Sequence, residues 1–308
     1  MPNELIIGAS GFVGRHLAQY LSSTGRKVYG FDRFSLAQPY DVIQGDLFDR
    51  QLLTHTLDEV QPKVIYHLAG ILKSDQLDEF YRVHVLGTVA LCEAVLEVGI
   101  KPLLVFASSS AIYGPGLGAR PITEGFKPRP VTHYAVSKLA QELVAFRYYR
   151  AYALPAIGIR MFNLIGPGLS VDMACSTFAR QIALAEHSGT DSIVTGNLDA
   201  RRDFVDVRDA VRAYQMVATQ GQLGQVYNVC SGRAVSINEC LDTLLQLTPR
   251  SLQIVHDQSR QQRNDVAVQV GSAERIRKQN GWQPQIPLQT SLADLLNDWR
   301  QKVKLEVH

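Results

Sequence analysis

Short apolar runs alternate with longer stretches in which apolar residues recur every three or four positions, most regularly in the first half of the chain. Leu5-Ile6-Ile7 reads as a buried strand. A helix over 12–21 follows, with Val13, Leu17, Ala18 and Leu21 on one face. Further strands are predicted over 27–31, 40–44, 63–67, 103–107 and 156–160, and long helices over 75–98 and 133–152. Strands alternating with helices predict an α/β fold, a parallel sheet covered on both faces.

Beyond Asn163 the pattern loosens and Gly166-Pro167-Gly168 punctuates it. Helical periodicity returns over 173–187, 209–219, 237–247 and 288–302. Residues 226–229 read as a strand that rejoins the main sheet. The expected division is 1–163 as one domain, with a returning segment near 203–232, and 164–308 as a smaller α/β region.

Composition narrows the class. The 308 residues are 46% hydrophobic and 19% charged, which excludes a disordered chain. A net charge of +2 gives no electrostatic case for nucleic acid or a membrane surface as partner. Cys92, Cys175, Cys230 and Cys240 form no C-x-x-C pair, so no metal or redox motif is expected and a reducing, cytoplasmic setting is. The start, Met1-Pro2-Asn3-Glu4, lacks the basic region of a signal peptide, and no apolar run approaches the roughly 20 residues that span a bilayer.

Gly8-Ala-Ser-Gly11-Phe12-Val13-Gly14 lies where the first strand meets the first helix. Glycines there permit a tight turn and close approach of a diphosphate, and the helix start offers free N–H groups and a favourable dipole. The spacing is G-x-x-G-x-x-G. Asp32 ends the second strand, where a carboxylate accepts ribose hydroxyls and repels a 2′-phosphate, favouring NAD. The adjacent Arg33 is able to pair with that phosphate, which leaves NADP possible, and NAD is the expected cofactor. Asp46-Leu47 after the third strand either holds adenine or, for Asp46, caps a helix.

Tyr134-Ala-Val-Ser-Lys138 places a phenol and an ammonium one helical turn apart. A tyrosine near pKa 10 is a poor acid–base group at neutral pH, and a neighbouring ammonium lowers that value. Ser108-Ser109-Ser110 follows the fifth strand, at the strand end where open parallel sheets bind ligands. Glycine turn, strand-end serines and Tyr134/Lys138 occur in the order that hydride transfer needs.

With these residues in place, the chain resembles an extended short-chain dehydrogenase/reductase of the nucleotide-sugar epimerase/dehydratase group, over nearly its whole length. The motifs that carry the resemblance are the glycine turn, Asp46-Leu47, His67-Leu68-Ala69-Gly70, Ser108 to Gly114, Tyr134-x-x-x-Lys138, Arg160-x-x-Asn163-x-x-Gly166-Pro-Gly168 and Arg202-Asp-Phe-Val-Asp-Val. The resemblance implies a Rossmann-type doubly wound sheet that binds NAD(P), a C-terminal substrate region and a homodimer through the helices over 75–98 and 133–152. It implies Ser109 as the partner of Tyr134, and Lys138 as a second contact to the nicotinamide ribose. Asn163 and Arg202 are implied as contacts to a nucleotide sugar, joined by Ser110. A guanidinium also suits a diphosphate on chemical grounds. Arg260 and Arg263 are candidates for the same anion or a solvated charged loop.

Two departures bear on the reaction. The family's 4,6-dehydratases carry Asp-Glu where this chain has Ser110-Ala111, which argues against dehydration. The long helix carries His84 where the family usually has Asn, and the sequence offers no reason for it. Several stretches, including 163–168, 202–209 and 227–232, are most similar to members that reduce a guanine-nucleotide-linked 4-keto-6-deoxyhexose. A nucleotide-sugar 4-epimerase is the alternative, and a non-catalytic sensor of nicotinamide or sugar nucleotide is a third reading.

Overall fold

The computed structural model describes residues 3–34, 40–115, 118, 120–257, 259 and 266–306. The first six strands are β1 (Asn3–Ile7), β2 (Lys27–Asp32), β3 (Asp41–Gln44), β4 (Val64–His67), β5 (Leu103–Ser109) and β6 (Ala156–Met161). With β10 (Val226–Val229) they form one sheet in the order β10-β6-β5-β4-β1-β2-β3, every neighbouring pair parallel. Every residue of β6 and β10 is buried, as a strand covered on both faces requires.

Helices α1 (Phe12–Ser23) and α7 (Val207–Gln220) cover one face, with Leu17, Val211 and Tyr214 packed on Ile6 and Tyr66. Helices α2 (Arg50–Val60), α4 (Gly87–Val98) and α5 (His133–Tyr152) cover the other, around Leu5, Phe31, Leu57, Leu91 and Phe106. The sequence pattern left 50–60 unassigned. There Leu53, Thr56, Leu57 and Val60 make the buried face, and the Asp49 carboxylate caps the helix by accepting from the Leu52 N–H at 3.1 Å. The predicted helix over 75–98 is broken in pitch: α3 (Leu77–Tyr81) leads into a π-turn (Arg82–Leu86) before α4 begins.

A separate core joins α6 (Ala174–Ser188), α8 (Ile237–Leu245) and α10 (Leu288–Glu306) through Phe178, Ile182, Leu241, Leu295 and Trp299. The short α9 (Glu274–Asn280) packs on α7 and β10. A second sheet centres on β9 (Arg201–Asp206), flanked by β11 (Ala234–Ser236) and, along successive parts of its other edge, β13 (Val268–Gln269) and β7 (Asn163–Ile165). β8 (Ser192–Thr195) pairs with β12 (Gln253–His256). Strand β9 matters most for the site, because it sets Arg202 opposite Gln269 and brings Asn163 alongside Phe204. Among the described residues no helix is long and apolar enough to cross a membrane.

Candidate active site

The strand order reverses at β1, between β4 and β2, and a crevice opens at the strand ends there. Gly8 has φ +88°, and a Cβ on it would lie 2.6 Å from the Ala69 backbone nitrogen. A Cβ on Gly14 would lie 2.2 Å from the Gly8 carbonyl oxygen. The turn, the start of α1 and the loop after β4 therefore touch backbone to backbone. Gly11 is the N-cap of α1 and has no side chain to cap with, so the N–H groups of Phe12, Val13 and Gly14 remain for an incoming anion. This cradle fits a dinucleotide diphosphate.

A cavity of about 400 Å³ runs from the cradle past Asp32, Arg33, Asp46, Leu47 and Ala69. Asp32 accepts the Ser10 N–H at 2.9 Å on one carboxylate oxygen and the Phe34 N–H at 3.1 Å on the other. Each oxygen keeps capacity for a ribose hydroxyl. Arg33 is exposed at the rim, 5.8 Å from the centre of the Phe34 ring. Asp46 turns back on the Phe48 N–H at 3.0 Å; the helix cap that sequence allowed for it belongs to Asp49.

A second cavity, about 470 Å³, adjoins the first along Gly8, Gly11, Leu68 and Gly70, and continues past Phe12, Val13 and Gly14 to Ser109, Tyr134 and Lys138. Ser109 is the last residue of β5, and its Oγ accepts from the Ala111 N–H at 3.1 Å. Tyr134 lies in the first turn of α5, which Thr132 caps through the Ala135 N–H. The side chains of Ser109 and Tyr134 face this cavity together. Burial raises the Tyr134 pKa, and the Ser109 hydroxyl opposes the rise.

Lys138 is 4% exposed, and its Nζ donates to the Ala107 carbonyl and, at 2.6 Å, to Gln141 Oε1. Burial brings its pKa down to about 7, against the opposing pull of Glu142. Sequence alone gives Lys138 the task of lowering the Tyr134 pKa. In the structure the opposing influence on Tyr134 is Ser109, and the ammonium is bonded elsewhere. Glu142 is itself held by Arg160 through two bonds, 2.9 and 2.7 Å, and accepts from the Ser108 hydroxyl. Ser108 thus braces the interior, and Ser109 faces the reactive side.

On the far wall, Asn163 Nδ2 donates to the Asp203 carbonyl at 3.2 Å, and Arg202 Nη1 donates to the carbonyls of Arg201 and Val266. Both side chains line the second cavity. Ser110 is buried and bonded reciprocally to Gln269: its hydroxyl donates to Oε1 at 3.2 Å, and its carbonyl accepts from Nε2 at 3.0 Å. Gln269 lines the cavity and escaped the sequence reading, since it sits in a two-residue strand with no motif around it. Arg260 and Arg263 lie outside the described residues. Among the described residues there is no group of three or more His, Cys, Asp or Glu able to hold a metal ion.

The model of the NAD dependent epimerase/dehydratase family matches residues 5–230. The chain belongs to this family. A GDP-6-deoxy-D-mannose reductase of Pseudomonas aeruginosa is 32% identical, over 98% of each chain. A UDP-glucose 4-epimerase of Halalkalibacterium halodurans is 27% identical, over 97% of this chain and 95% of its own. A solved structure, of RMD from Pseudomonas aeruginosa complexed with NADPH, superposes with a TM-score of 0.85 at 30% identity, covering 98% of this chain and 100% of that one. As a member of the epimerase/dehydratase family the protein is an NAD(P)-dependent enzyme of nucleotide-sugar metabolism with a Rossmann-type sheet. The cradle between β1, α1 and the loop after β4 is where such a cofactor fits.

Proposed function

We propose that the protein reduces a nucleotide-linked 4-keto-6-deoxyhexose, converting GDP-4-keto-6-deoxy-D-mannose to GDP-D-rhamnose, which is GDP-6-deoxy-D-mannose. The observation that carries this reading is the reductase relative, 32% identical over 98% of both chains, taken with Ser109, Tyr134 and Lys138 lining one cavity that adjoins the glycine cradle.

Gly8, Gly11, Phe12, Val13 and Gly14 would bind the diphosphate of the cofactor; Asp32, Arg33, Asp46, Leu47, Leu68, Ala69 and Gly70 would surround its adenosine half and the bridge to the nicotinamide. The reduced nicotinamide supplies the hydride when bound. Tyr134, a phenol that carries its proton at neutral pH, donates it to the oxygen that gains negative charge at C4. Ser109 orients that oxygen and the phenol together. Lys138, near its own pKa at neutral pH, would hold the nicotinamide ribose. Asn163, Arg202, Ser110 and Gln269 would form the nucleotide-sugar wall. Both reduced cofactors are expected to serve, Asp32 favouring NADH and Arg33 accommodating NADPH.

The UDP-glucose 4-epimerase relative supports the second reading, in which Tyr134 acts first as base and the cofactor is recycled. Mixing the protein with GDP-4-keto-6-deoxymannose and NADH or NADPH separates the two. Sugar-dependent loss of cofactor absorbance is expected. Conversion of a UDP-hexose to its C4 epimer without added cofactor, and no such loss, would replace the reductase with the epimerase. Leu86, Val136 and Leu143 are exposed apolar residues on the helices over 77–98 and 133–152, which supports a homodimer through these faces. Light scattering of Leu143→Glu is expected to report monomers. Four buried free cysteines fit a reducing compartment such as the cytoplasm.

A further inference from the structure

His84 stands in the π-turn of the long helix, fully buried, and lines the second cavity. Such turns re-aim side chains and recur at functional sites. The imidazole makes two bonds whose directions are dictated. The Ile71 backbone N–H, 3.1 Å from Nε2, is only a donor, so Nε2 is bare and Nδ1 carries the proton. Nδ1 then donates to Ser137 Oγ at 2.8 Å, and the Ser137 hydroxyl passes its own hydrogen to the Tyr134 carbonyl, also at 2.8 Å. A single directed chain runs from Ile71 through His84 and Ser137 to the turn of α5 that bears Tyr134.

The packing runs the same way. A Cβ on Gly70 would lie 3.1 Å from His84 Nε2, so the loop after β4 rests on the ring. The ring in turn meets the Tyr134 ring edge-on, centroids 5.7 Å apart. Gly70 and Ile71 line both cavities, and Tyr134 lines the second. Burial and the nearby Lys138 hold the imidazole well below its ordinary pKa, so the neutral tautomer persists.

We propose that His84 is a positioning residue: it fixes the cofactor-side loop 68–71 against the helical turn carrying Tyr134, so one side chain sets both cofactor docking and the placement of the proton donor. The inference rests on Tyr134 being that donor. Glutamine is the informative replacement, because its amide offers an acceptor and a donor side by side.

The test compares full-length wild type, His84→Ala, His84→Gln and Ser137→Ala by amide exchange over residues 70–72, NADPH affinity by fluorescence titration, and turnover. In His84→Ala, exchange at Ile71 should rise about tenfold, the size of one lost hydrogen bond, with core strands unchanged. NADPH affinity and turnover should each fall several-fold or more, and His84→Gln should recover most of the three. Ser137→Ala cuts only the lower link, so turnover should fall with Ile71 exchange and NADPH affinity unchanged. Wild-type exchange and affinity in His84→Ala, or a folded His84→Gln no better than alanine, overturns the proposal. If His84→Ala does not fold, the glutamine and Ser137 variants decide by the same criteria. Exchange and NADPH affinity need no sugar substrate, so they still read when the reductase assignment itself fails.

Discussion

On the side of the crevice proposed for the cofactor, Gly8, Gly11 and Gly14 present backbone, and what they lack in side chains is what lets β1, α1 and the loop after β4 meet. On the side proposed for the substrate, Ser110, Gln269, Asn163 and Arg202 present side chains already bonded to the protein around them. The glycines of the first half lie within seven consecutive residues, 8–14. The second is drawn from segments as far apart as Ser110 and Gln269, 159 residues distant. A backbone cradle tolerates almost no added atom, whereas a wall of mutually bonded side chains adjusts by exchanging partners.

The sharpest break between the halves is Tyr134→Phe. Turnover should fall about 10²–10⁴-fold, the usual worth of a positioned acid, with NADPH affinity unchanged. Loss of affinity in parallel, seen by fluorescence titration, would mean that the halves are not separable. Gly14→Ala drives a methyl group into the Gly8 carbonyl. It should cost about 1–3 kcal/mol in denaturant unfolding and weaken NADPH binding strongly.

Lys138 joins the halves and gives a pH test. An unfolded lysine titrates near 10.4, and the folded one near 7, so between those values the unfolded chain binds more protons. Stability of the cofactor-free protein should therefore rise with pH across that window. Below about 7 both states carry the charge and the burial penalty is complete. Lys138→Met should raise the melting temperature more at pH 6 than at pH 9; an equal change at both would show that the lysine is not depressed. Gln269→Ala should have the smallest effect, raising KM for the nucleotide sugar by less than about tenfold, as loss of one or two neutral hydrogen bonds predicts. A loss of cofactor affinity there would merge the two walls.

Much of the sheet was legible, because β1, β4, β5, β6 and β10 are largely buried runs whose apolar character does not depend on partners. Helix α2 escaped notice because Thr56 interrupts its apolar face and Asp49 is a capping signal only once the helix is there. Strands β7, β9 and β13 are too short or too mixed to show a period, and pairing between distant segments makes them strands. The π-turn at His84 was invisible because the periodicity on either side reads as one helix.

The sequence by itself determined the glycine turn at the start of α1, since the spacing of Gly8, Gly11 and Gly14 constrains backbone that is contiguous along the chain. It also placed Tyr134 and Lys138 on one turn of one helix. Only the tertiary structure decided what those groups do at a given pH. Protonation depends on burial and on every neighbour brought within bonding distance, so Lys138 at about 7, Tyr134 opposed by Ser109 and His84 locked in one neutral tautomer arise from packing.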